Sequence, residues 1–177
     1  MANLNPGDKV IPFKLPGVDG KEHALSDFAE AEVLAVIFSC NHCPYVLAWE
    51  DRMIQIQADY MDKGVRFVAI NSNDVSKYPA DSFPNMKTHA AEKGFNFPYL
   101  YDESQEIPTA YGATRTPEVF LFDKSRVLQY HGAIDDNYDN PKAVKKQYLR
   151  DALEGVLADQ VPAIQETQPV GCTIKWK

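Results

Sequence analysis

Val33-Leu34-Ala35-Val36-Ile37-Phe38-Ser39-Cys40-Asn41-His42-Cys43-Pro44-Tyr45-Val46 is the stretch whose reading decides the fold. Its first six residues are continuously apolar and partly β-branched, the pattern of a strand buried on both faces of a sheet. After Pro44, the residues Val46, Trp49, Met53, Ile56 and Tyr60 recur at steps of three and four, which is one face of a helix. The two cysteines therefore sit where a strand hands over to a helix. Free N–H groups and the positive end of a helix favour thiolate over thiol there. Two thiols at this spacing can also close into a disulfide. The motif admits a redox pair, half a zinc site or two buried structural cysteines, and the strand-before, helix-after context points to redox. A closed zinc site takes about four ligands. No second CxxC and no HxxxH is present, and Cys172, His23, His89 and His131 are scattered singly, so no metal site is expected and no cofactor is called for.

Outward from the motif, the same rules place the remaining elements. Gly64 is suited to stop a helix running from about Pro44 to Lys63. Val65–Ile70 reads as a second buried strand ending in the polar Asn71-Ser72-Asn73-Asp74, which reads first as a loop and second as a lining of the site. A Pro-rich loop leads to a helix around Asn85–Lys93, closed by Gly94. Tyr99–Tyr101 is extended, and Glu103–Tyr111 is a short helix interrupted by Pro108. Val119–Phe122 and Val127–His131 form an antiparallel hairpin around Asp123–Arg126. A last helix is expected over about Pro141–Ala158, with Lys142, Lys145 and Lys146 on its solvated face. Upstream, Ile11–Leu15 and Glu22–Leu25 flank the turn chemistry of Pro16–Gly20, so residues 5–28 read as a hairpin extension, with Ser26 and Asp27 capping a helical turn. The result is one α/β domain over 1–177: a central mixed β-sheet with helices on both faces, an N-terminal β-hairpin and an irregular tail over 160–177.

Composition bounds the function. With 177 residues, 45% hydrophobic and 24% charged, the chain can bury a core without staples. A net charge of −7 argues against a nucleic-acid or anionic-membrane surface. Three cysteines cannot all pair within one chain, which argues against a secreted disulfide scaffold. Met1-Ala2-Asn3-Leu4-Asn5-Pro6 lacks the basic-then-apolar pattern of a signal peptide, and no apolar run approaches the roughly 20 residues of a span. A soluble cytoplasmic protein is expected, with its pair kept mostly as thiols between turnovers.

Three further segments carry a family likeness. Pro6-Gly7-Asp8, Phe13-Lys14-Leu15-Pro16, Asp19-Gly20-Lys21 and Leu25-Ser26-Asp27-Phe28 resemble a redoxin N-terminal hairpin. Cys40–Cys43 matches the redox motif, and Thr116-Pro117 before Val119–Phe122 matches a cis-proline that faces the cysteines. Over roughly residues 5–158 the chain resembles the thioredoxin-like superfamily, in the redoxin branch that holds AhpC/TSA-type peroxiredoxins and TlpA/ResA-like thiol reductases. The strings Cys-Asn-His-Cys-Pro-Tyr-Val and Gly-Cys-Thr-Ile-Lys-Trp resemble a largely uncharacterised sub-group.

The resemblance implies a thioredoxin-like fold and a thiol-disulfide oxidoreductase acting on protein or small-molecule disulfides, recharged by an electron donor the sequence does not name. It makes Cys40 the exposed nucleophile and Cys43 the resolving thiol. Position agrees, since the first cysteine is expected nearer the helix N-terminus. His42 is expected to support the Cys40 thiolate as a cation or N–H donor. Pro117, with a cis bond, leaves the backbone at Thr116 free to pair with an extended substrate, and Thr116 and Pro44 are expected to contact that substrate. Cys172 has two open readings: a resolving or regulatory thiol carried by the tail, or a packed cysteine far from the pair. The alternative activity is a thiol-dependent peroxidase. Aligning Cys43 with a peroxidatic cysteine puts Cys40 where peroxiredoxins have Thr, Val36 where they have Pro, and Pro117 near their Arg. Those replacements favour disulfide exchange, although Arg115 is close enough in sequence to substitute.

Overall fold

The computed structural model describes residues 4–177; Met1–Asn3, part of the stretch read for a signal peptide, lie outside it. The elements are β1 (Lys14–Pro16), β2 (Glu22–Ala24), β3 (Val33–Ser39), α1 (Pro44–Tyr60), β4 (Val65–Asn71), α2 (Phe83–Lys93), β5 (Tyr99–Tyr101), α3 (Glu106–Tyr111), β6 (Arg115–Thr116), β7 (Glu118–Phe122), β8 (Leu128–Gly132), α4 (Tyr148–Leu157) and β9 (Cys172–Thr173). A five-stranded sheet in the order β5-β4-β3-β7-β8 forms the centre. β3 runs parallel to β4 and antiparallel to β7, so the apolar run is the central strand and every residue of it is buried.

Alternation along β3 sorts the core into two layers. Val33, Ala35 and Ile37 face α1, α2 and α4 through Trp49, Met53, Met86, Leu149 and Leu153. Leu34, Val36 and Phe38 face α3 and the N-terminal segment through Tyr111, Phe13 and Phe28. Trp49, Met53 and Tyr60 are thus core residues, as their spacing implies. α1 gives way to a 3₁₀ turn over Met61–Lys63, and Gly64 closes it at φ 82°, a left-handed conformation that favours glycine. The hairpin β1–β2 is antiparallel, and Asp27 accepts the Ala24 N–H at 2.8 Å to start the following 3₁₀ turn.

Two expectations need correction. The last helix starts at Tyr148, not Pro141, because the chain before it is bonded elsewhere. Asn140 caps a single 3₁₀ turn over Pro141–Ala143. The Lys145 N–H then donates to Asp136 Oδ1 at 2.9 Å, and the Lys146 carbonyl accepts from Asp136 N–H at 3.2 Å. Lys142 therefore lies in the short 3₁₀ turn, and Lys145 and Lys146 in the loop after it, not on a face of the last helix. The tail has little regular structure, but it is fastened at two strands. His131 N–H donates to the Gln165 carbonyl and Thr167 N–H to the His131 carbonyl, at the edge of β8. Further on, β9 pairs antiparallel with β6. No helix among the described residues is long and apolar enough to cross a membrane.

Candidate active site

β3 delivers Cys40 at its C-terminal end, and α1 begins at Pro44, which leaves Cys43 as the residue capping the helix. Proline suits the first helical position because its missing N–H would have no partner there. The Cys43 carbonyl accepts the first helical bond, from Leu47 N–H at 2.9 Å. Both motif cysteines and Cys172 are free thiols. Cys40 and Cys43 are 1% and 0% exposed, so the expected exposed nucleophile is instead covered. Tyr45 and Cys172 pack over the pair.

The three sulfurs of this cluster differ in ionisation. Cys43 is held well below an ordinary thiol, first by the Cys40 S–H that donates to it. The Cys172 S–H, the Val46 N–H at the head of α1 and the Cys172 N–H add to this against the cost of burial. Cys40 is pushed up, by serving as that donor, by burial and by the negative charge of Asp81. Cys172 is pushed up to about 11 by burial and by its bond to Cys43. As a thiol, Cys43 instead donates to the Thr116 carbonyl at 3.4 Å. The helix end belongs to Cys43, because α1 starts one residue after it.

The loop between the cysteines is pinned by Asp81, a completely buried carboxylate that sequence reasoning missed. It accepts the Asn41 N–H at 2.8 Å and the Asn73 side-chain amide at 2.8 Å. Asn71 donates its amide to the Asp81 carbonyl, and Tyr99 OH donates to Asn41 Oδ1, each at 2.8 Å. Asn71 and Asn73 are therefore part of the scaffold of the site, whereas Asp74 bonds Ser76 and, through its N–H, the Lys175 carbonyl. His42 does not hold the Cys40 sulfur as expected. Its Nδ1 lies 2.7 Å from Asp81 Oδ2, off the line of a hydrogen bond, and its ring stacks on Tyr78 at 5.9 Å. The only sequence signal for Asp81 was an acidic residue in a proline-rich loop.

Cys40 Sγ, a His42 ring nitrogen and an Asp81 oxygen lie within 4.8 Å of one another. These are three donors of mixed type, where a closed zinc site takes four.

The Thr116–Pro117 bond is cis. Thr116 and Pro117 are buried against the motif, with Thr116 Oγ1 at 3.6 Å from Cys40 Sγ, and Pro44 is exposed beside Cys43. The Thr116 backbone is not free, because Cys172 sits directly opposite it in the β6–β9 ladder. The structure places Cys172 against the pair, not far from it. Gly171 is forced at this crossing, since a Cβ there would lie 2.1 Å from the Thr116 carbonyl oxygen. Arg115 donates to the Gly171 carbonyl at 3.3 Å, so it serves the tail instead of supporting a peroxidatic thiolate.

An uncharacterised conserved protein from Geobacillus kaustophilus has a similar crystal structure, 41% identical, with a TM-score of 0.93 over 98% of this chain and 93% of that one. The thiol-disulfide oxidoreductase ResA of Geobacillus thermodenitrificans is 26% identical over 67% of this chain and 64% of its own length. A Mycobacterium tuberculosis protein provisionally named a peroxiredoxin is 25% identical over 82% of this chain and 85% of its own. The Redoxin family model matches residues 5–148, and on that match the chain belongs to the Redoxin family.

Proposed function

We propose that the protein is a thiol-disulfide oxidoreductase whose working couple is Cys40–Cys43. The observation that carries this is Cys43 at the head of α1, buried together with Cys40 and with Cys172 packed against the pair. The Cys43 thiolate attacks a disulfide RS–SR′. A Cys43–SR bond forms and R′S⁻ leaves. Cys40 then gives up its proton and attacks Cys43 Sγ, which closes the Cys40–Cys43 disulfide and expels RS⁻. Substrate gains two electrons and the protein loses two, which an external dithiol donor restores by the reverse steps. Asp81 is a positioning residue here: it fixes the Asn41 N–H and hence the loop that holds the two sulfurs in reach.

Single-turnover oxidation of the reduced protein by a small disulfide tests this. Cys43→Ser is expected to lose the reaction, and Cys40→Ser combined with Cys172→Ser to stop at a mixed disulfide on Cys43. Attack that survives in Cys43→Ser and vanishes in Cys40→Ser would reverse the two roles. No reaction in the wild type would remove the proposal.

A second reading is a thiol peroxidase, favoured by the low-pKa thiol at the position where peroxiredoxins carry their peroxidatic cysteine. Peroxide added in place of the disulfide distinguishes them. Slow consumption, with no sulfenic acid on Cys43, is expected here because Cys40 replaces the peroxiredoxin Thr and Arg115 is turned to the tail.

A further inference from the structure

We infer that Gly171–Ile174 is an internal substrate strand: it fills the edge beside Thr116 where an extended disulfide substrate would pair, and Cys172 accepts the disulfide from Cys43. This rests on the oxidoreductase reading and adds a third thiol and a substrate class to it.

The placement carries the argument. β9 lies antiparallel to β6, with Cys172 facing Thr116 and Thr173 facing Arg115. Ile174 N–H donates to the Thr114 carbonyl at 3.0 Å, and the Ile174 side chain is buried with Phe38 and Tyr111 in the lower core layer. Lys175 N–H donates to Asn73 Oδ1 at 2.9 Å, and Gln105 donates to the Lys175 carbonyl at 2.9 Å. The strand is thus fixed after the cysteine by these bonds and before it by Arg115, which donates to the Gly171 carbonyl at 3.3 Å. The Cys172 side chain packs against Cys40 and Cys43. Paired backbone beside a cysteine whose sulfur contacts the reactive thiolate is the geometry of a bound disulfide partner. Here the chain supplies that partner itself.

The step is an internal exchange. In the oxidised protein the Cys172 thiolate attacks Cys43 Sγ. The Cys43–Cys172 bond forms, the Cys40–Cys43 bond breaks, and Cys40 leaves as thiolate and takes up the proton that Cys172 released. No electrons enter or leave. With the peptide edge occupied, compact disulfides that need no strand pairing are the preferred external substrates, and extended peptide disulfides must first displace the tail.

The reduced wild-type chain is oxidised with limiting glutathione disulfide, quenched in acid and alkylated, and its linked peptides are quantified by mass spectrometry. A Cys43–Cys172 linkage is expected beside Cys40–Cys43, and as the sole internal linkage in Cys40→Ser. If Cys172 is recovered as a thiol in both proteins while Cys40–Cys43 forms, the inference falls and the oxidoreductase reading stands. If no motif disulfide forms, that reading falls and the inference with it. A second arm compares Gly171→Ala with wild type on an extended peptide disulfide and on glutathione disulfide. Crowding against Thr116 is expected to loosen the strand and raise the peptide-to-glutathione rate ratio roughly tenfold, the effect of removing a tight internal competitor. An unchanged ratio would show that the strand does not occupy the substrate edge.

Discussion

Asp81 accepts the backbone N–H of Asn41 at 2.8 Å from a position forty residues downstream. That bond ties the proline-rich loop after β4 to the turn between the cysteines. The same carboxylate binds the Asn73 amide, so the end of β4 is included as well.

Replacing Asp81 with alanine leaves the Asn41 N–H and the Asn73 amide without their acceptor in a fully buried place. The expected loss is about 2–4 kcal/mol, read as a lower urea midpoint of the reduced protein with an unchanged slope. Asp81→Asn keeps one acceptor oxygen and is expected to lose roughly half as much. Equal stability for all three proteins would show that the carboxylate anchors nothing.

The Asp81 charge also raises the Cys40 thiol. Asp81→Asn is therefore expected to let Cys40 ionise at lower pH. Titrating thiolate absorbance in a Cys43→Ser, Cys172→Ser background isolates this. A rise in the Cys40 midpoint on removing the charge would contradict the arrangement.

Cys43 is depressed, so its charged form persists as pH falls through the range where ordinary thiols protonate. Alkylation at Cys43 by iodoacetamide is expected to be flat between about pH 6 and 8. A free cysteine, with its pKa near 8.5, changes roughly tenfold per unit there. The reactivity is lost in acid, as pH drops through the lowered value. Tenfold-per-unit behaviour near neutrality would place the thiolate elsewhere.

Ile174 holds the tail strand by burial. Ile174→Ala removes methyl groups from a closed layer and is expected to cost about 2–4 kcal/mol of tail docking. Hydrogen exchange should report it as faster exchange of the Ile174 and Lys175 amides, with the β3 and β4 amides unchanged. Uniform acceleration across the sheet would mean that the tail and the core unfold as one unit.

Trp49 belongs to the core by its helical spacing, yet its indole N–H donates to Asp135 Oδ1 at 3.0 Å, and Arg52 pairs with the same carboxylate at 2.7 Å. Trp49→Phe is expected to cost about 1–3 kcal/mol, from the lost bond and the smaller ring together. A thermal melt checks the size, and a stability unchanged from wild type would rule out the bond to Asp135.

What could be read from sequence was local. The apolar run of β3, the three-four spacing of α1 and the CxxC between them are patterns within a few residues, and each marks its element. Gly64 and Gly94 mark helix ends because a left-handed residue there is a local need. The start of α4 was not legible, because Asp136 draws Lys145 and Lys146 into bonds that no helical period encodes. Assigning the helix end to Cys40 failed by the length of one turn: the chain does not become helical until Pro44. Asp81 and Cys172 reach the motif only through tertiary contacts across forty and more than a hundred residues, and a single sequence carries no distance.

Gly171 and Ile174 also constrain how this chain can vary in length. Gly171 fits only against the Thr116 carbonyl, and Ile174 fits only in the core layer beneath β6. Because side chains alternate along a strand, one inserted residue between them would turn Cys172 away from Cys43 while leaving the composition almost untouched. Residues 159–161 and 163–164, exposed on the way to that strand, carry no such limit. Insertions there are expected to be absorbed by the surface, whereas a single insertion between Gly171 and Ile174 should abolish the contact of Cys172 with the motif.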